Sequence, residues 1–128
     1  MSHIATYVCC IVNPNLDLLR TVFETLAAQH HGAVTTKIDG YFHKDDQEVL
    51  IGLTCPEFPR GLGVNIDPAG ALNFICDPYD YEKIVESLKS EIVRTYQTVA
   101  VTQVLASLGY QVSTNLSEHG ALIEGVRA

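Results

Sequence analysis

The segment LTCPEFPRGLGV, Leu53 to Val64, gathers a thiol, a carboxylate and a guanidinium within six positions, Cys55 to Arg60. Nucleophilic chemistry at Cys55 needs a thiolate, and a thiolate at neutral pH needs a nearby cation or a helix N-terminus. Arg60 can supply the cation by curling back, whereas Glu57, between the two, opposes it. No histidine adjoins the segment in sequence, although His43 or His119 can approach in space. Cys55 with Arg60 is therefore a candidate catalytic pair on two conditions: Arg60 folds back and Glu57 points away. Otherwise the segment is a bend between two strands. Its prolines and glycines have backbone reasons to be there.

Other residues invite a metal or an acid–base site. His30 and His31 are adjacent, but side chains one residue apart on a helix diverge by about 100°. They are weak metal-ligand candidates, and imidazoles at a helix C-terminus are favoured electrostatically in any case. Cys9 and Cys10 sit next to each other in a strand-like run, where neighbours point to opposite faces, so they are not expected to act as a dithiol pair. With Cys76 they read as packed hydrophobes. His3, His43 and His119 are isolated.

DPYDYEK collects Asp77, Asp80 and Glu82, which suit a helix N-terminus as they stand. Its tyrosines, Tyr79 and Tyr81, are candidate interface residues, since tyrosine is enriched at protein contacts. RGLG, Arg60 to Gly63, lacks the spacing of a phosphate cradle and precedes a strand rather than a helix. No catalytic constellation emerges, and no cofactor is expected.

The totals bound the partners. The chain has 128 residues, 47% hydrophobic content and a formal net charge of −7. That suits a single α+β domain over residues 1–128. The eight basic residues are scattered, which argues against phosphate-backbone binding and against an anionic membrane surface. No apolar run approaches the roughly 18 residues of a membrane span. The first residues lack the charged and cleavable pattern of a secretory signal. The expectation is a cytoplasmic protein that engages neither nucleic acid nor membrane.

The elements that must position these residues follow from periodicity. HIATYVCCIV is β-branched and reads as a first strand, His3 to Val12. Asn13 and Pro14 then resemble a cap and first turn, opening a helix to about His31, with Gly32 as its C′ residue. A β-rich middle follows: AVTTKIDGYF, EVLIGLTC, and a hairpin of Gly61–Ile66 with Ala71–Cys76 around DPAG. Asp77-Pro78 repeats the capping device and opens a helical pattern to Leu108, either one helix or two joined near Thr95. Gly109 ends it, and YQVSTNL with ALIEGV forms a last hairpin around residues 117–120. The order is β-α-β-β-β-β-α-β-β. Hairpin connections make the sheet largely antiparallel, with two helices on one face.

The opening MSHI and the closing YQTVAVTQVLASLGYQVSTNLSEHGALIEGV resemble the DUF1257-type family, related to a conserved hypothetical reading frame of algal plastids and cyanobacteria. The resemblance rests on the Met-Ser-His start and on Tyr96, Val104, Leu108, Gly109, Tyr110 and Gly120 in the late helix and hairpin. It covers about a third of the chain, and the middle departs from it in having no tryptophan. It implies a fold and no activity, so no functional residue carries over.

The expected function is non-enzymatic: a protein-interaction module, self-associating or binding a protein partner. The alternative is a small-molecule-binding or enzymatic domain using Cys55 or a histidine in a pocket between sheet and helices.

Overall fold

The computed structural model describes residues 4–41, 46–117 and 120–127, with side chains as far as residue 111. The elements run β1 (Ala5–Val12), α1 (Leu16–Gln29), β2 (Ala33–Ile38), β3 (Gln47–Cys55), β4 (Phe58–Ile66), β5 (Ala71–Cys76), α2 (Glu82–Ser107), β6 (Tyr110–Ser117) and β7 (Gly120–Arg127). The order is the one that periodicity predicts. Strands β1-β5-β4-β3-β2 form one sheet, antiparallel throughout, and β6-β7 form a separate two-stranded sheet.

Both helices pack on one face of the larger sheet. Leu19, Phe23 and Leu26 of α1 and Val85, Leu88 and Ile92 of α2 close over Leu53, Leu62, Val64 and Phe74. Each such side chain contributes about 1.5–3 kcal/mol by burial. A smaller cluster of Ile38, Val49 and Ile75 occupies part of the opposite face.

The helix starts differ from expectation for a common reason. Asn13 does not cap α1; it takes a left-handed conformation, φ 50°, and its N–H donates to the Gly70 carbonyl at 2.7 Å. The cap is Asn15, whose Oδ1 accepts from the Leu18 N–H at 3.0 Å. Asp77 likewise does not cap α2, which begins at Glu82 with Tyr81 as an N-cap that makes no side-chain bond. In both cases the residue nearest the preceding strand is used to turn the chain, Asn13 through its backbone N–H and Asp77 through its carboxylate, so the helix starts later.

At the other end of α1 the expected C′ glycine is displaced by one residue. His31 occupies the left-handed position, φ 55°, and the Gly32 N–H donates to the Ala27 carbonyl at 2.8 Å, a Schellman arrangement. Gly32 is needed for a different reason: a Cβ there would overlap the Thr54 carbonyl oxygen of β3. Helix α2 is one helix through its β-branched run and ends at Gly109, φ 89°. The last hairpin pairs Ser117 with Gly120. Its tip, with His119, lies outside the described residues, as do His3 and His43.

Candidate functional site

The LTCPEFPRGLGV segment is the β3–β4 hairpin, with Cys55 paired to Phe58 across Pro56 and Glu57. Cys55 is 5% exposed within the core beneath the helices. Burial first, and a hydrogen bond from its thiol to Glu57 second, push its pKa up. Glu57 is thus drawn toward the thiol rather than away. Its carboxyl is held below the usual carboxylate range chiefly by its own backbone N–H, then by that thiol. Both conditions for an activated thiolate fail, because Arg60 is also engaged elsewhere. The pairing of Cys55 with Arg60 as a catalytic couple is not assembled.

His30 bonds across this corner, and His31 lines a hollow beside it. His30 Nε2 lies 2.8 Å from Glu91 Oε1 of α2, and its Nδ1 lies 3.9 Å from Glu57 Oε1. A histidine between two carboxylates ties the end of α1 to α2 and to the β3–β4 turn. His31, in the left-handed position, borders a hollow beside the same hairpin, with Gly32, Cys55, Pro56 and Pro59. Among the described residues, no three His, Cys, Asp or Glu side chains converge as a metal set. What remains chemically is one hydrogen-bonded pair, His30 with Glu91, standing beside Glu57 and the buried Cys55 thiol. Nothing in sequence spacing pointed to Glu91, 61 residues from His30.

Arg60 belongs to a second cluster. Its Nη1 donates to the Asp77 carbonyl at 3.0 Å and stands 3.6 Å from Asp77 Oδ1. The guanidinium carbon lies 5.1 Å from the Tyr41 ring centroid and 5.0 Å from that of Tyr81, a cation between two aromatic faces. Asp77 is 1% exposed and accepts from the Tyr41 and Tyr79 N–H groups at 2.8 and 3.1 Å. Tyr81 also packs on Phe58, so one of the two interface candidates is spent on the interior. Tyr79 stacks on Tyr41 at 4.9 Å and stays exposed. Asp80 and Glu82 are exposed, apart from buried Asp77, so these carboxylates form no acid–base pair.

The third place is a groove of about 390 Å³ between the outer edge of β1 and α2. Cys9 and Cys10 both line it, and the alternation of the strand is kept, with Cys9 half-buried and Cys10 exposed. The register with β5 shifts between Val8 and Val12. Burial raises the Cys9 pKa. Gln97 Nε2 approaches Cys10 Sγ at 3.9 Å, and Lys89 Nζ stands 3.8 Å from the Tyr7 ring centroid while pairing with Glu86 at 2.7 Å.

Comparison with protein-family models, with curated proteins and with solved structures finds no match.

Proposed function

We propose that this chain is a cytoplasmic, non-enzymatic module that works by protein–protein contact, its partner being a second copy of itself. One observation carries the reading: the distal half of α2 presents Val101, Val104 and Leu108, respectively 44%, 58% and 68% exposed. At 100° per residue, Val93, Gln97, Val101, Val104 and Leu108 fall within about 80° of arc, a continuous stripe. Large apolar side chains in a contiguous exposed stripe mark a contact surface rather than chance exposure. The residues that α2 buries, Val85, Leu88, Ile92, Thr95 and Thr98, point another way, so the stripe is not needed for the core. No helix among the described residues is long and apolar enough to cross a membrane. The resemblance to the DUF1257-type family is compatible with this reading and adds no activity to it.

Light scattering over a concentration series tests the proposal. The expected result is a reversible dimer that Val104→Glu with Leu108→Glu converts to monomer, because each glutamate would have to be buried unpaired. A wild-type chain that stays monomeric at high concentration and retains no partner in a pull-down would overturn it.

A further inference from the structure

We infer that two copies join edge to edge through β1, antiparallel about a two-fold axis passing near Tyr7, so that the five-stranded sheets become one. The inference deepens the self-association reading and rests on it.

The sheet has two outer edges, and they are not alike. Among the described residues, β1 hydrogen-bonds to β5 alone and β2 to β3 alone. The β2 edge carries an exposed Lys37 and a register shift between Thr35 and Lys37, both of which discourage a further strand. β1 contains no charged residue and no proline, and its Val8 is 77% exposed. Its own register shift lies beyond Val8, so Ala5 to Val8 keeps a regular ladder with β5. A regular, uncharged, unguarded edge is a template for another strand. Pairing centred on Tyr7 sets Thr6 against the partner's Val8 and buries both.

The choice of a second copy comes from the charges beside the edge. Helix α2 runs alongside β1 in the same direction, since Lys89 is level with Tyr7 and Gln97 with Cys10. Ser90, next to Lys89, is therefore level with the axis. Glu86 lies four residues before Ser90 and Arg94 four after it, and both line the groove. A two-fold axis reverses the partner's helix. It brings Glu86 level with the partner's Arg94, and Arg94 level with the partner's Glu86. One symmetry operation thus sets opposite charges across the axis twice, beside the Lys89 that pairs with Glu86 within each chain, which is the self-complementarity that an isologous interface requires. It also supplies a locally balanced surface on a chain whose net charge of −7 otherwise repels its own kind.

Sedimentation equilibrium on the full chain and four variants decides the matter. Val8→Lys sets two like charges beside the axis and is expected to weaken the dimer about tenfold or more while leaving the monomer folded by circular dichroism. Glu86→Arg and Arg94→Glu each set like charges opposite one another and are expected to weaken it similarly, whereas the double exchange returns it to within about threefold of wild type. Recovery in the double variant is a result that local damage to α2 would not produce. If Val8→Lys and both single reversals dimerise as wild type does while Val104→Glu with Leu108→Glu dissociates, edge pairing falls and self-association through the helix stands. If the wild-type chain never dimerises, both fall.

Discussion

Arg60 is 12% exposed, and a charge so placed must be compensated where it sits. Asp77 supplies the opposite charge and the two tyrosine rings supply polarisable faces. Arg60→Ala would remove the guanidinium from beside the buried Asp77 carboxylate. We expect it to lower the unfolding free energy by about 2–4 kcal/mol in urea titrations. Arg60→Lys should recover less than half of that, because an ammonium lacks the plane that stacks between Tyr41 and Tyr81. The thiols give a second residue-scale expectation. Burial pushes Cys76 up to about 12 from an ordinary value of 9.0, and Cys55, Cys9 and Tyr7 are raised in the same sense. An unfolded chain sheds these protons first as pH rises. The associated stability is thus fully present below the unfolded pKa and lost on the way to the folded one. Urea midpoints should therefore fall from about pH 9 to 12, at up to about 1.4 kcal/mol per pH unit for one such group. Cys76→Ala should flatten the slope, and an unchanged slope would show that Cys76 is not the group responsible.

Elements were more legible than the contacts between them. Period-two alternation and helical spacing located every strand and both helices, because each buries one face and the pattern is local. The turn residues were harder. Asn13 and Asp77 have the chemistry of caps, but each is claimed by a distant partner, Gly70 and the Tyr41 N–H respectively, and nothing local announces that. The same limit hid the candidate sites. Arg60 was legible as a cation near Cys55, while its engagement with Asp77 and Tyr41 depends on how β2, β4 and β5 converge. Cys9 and Cys10 keep the alternation that a strand imposes, half-buried and then exposed. Gly32 shows the effect at a junction of elements. It reads as a helix stop, yet the stop is made by His31, and Gly32 is held by the close approach of the β3 backbone. Gly32→Ala should therefore cost about 3 kcal/mol or more, since a carbonyl in a paired strand cannot move aside. Gly109→Ala meets no neighbour and carries only a left-handed backbone penalty of about 1 kcal/mol. Thermal or urea unfolding of the two variants separates these causes, and equal losses would refute the assignment.

At the scale of the molecule, the chain divides into a packed body and an extension. The body contains the five-stranded sheet, α1 and the first half of α2, whose last buried side chain is Thr98. Beyond it α2 continues to Ser107 with its apolar stripe outward, and β6 and β7 pack on α2. A two-stranded hairpin is marginal on its own, so it draws its order from α2 and lends little to the sheet. A chain ending at Gly109 keeps every core side chain among the described residues, and its unfolding should remain cooperative, with a loss below about 2 kcal/mol. Amide exchange in the intact chain should follow the same division, with β6 and β7 exchanging well before β4 and β5. The deletion also separates the two uses of α2. Should the shortened chain fold yet dimerise as before, the association surface lies on β1 and the bare helix. Should it fold and stay monomeric, the hairpin is what holds the distal helix ready for its partner.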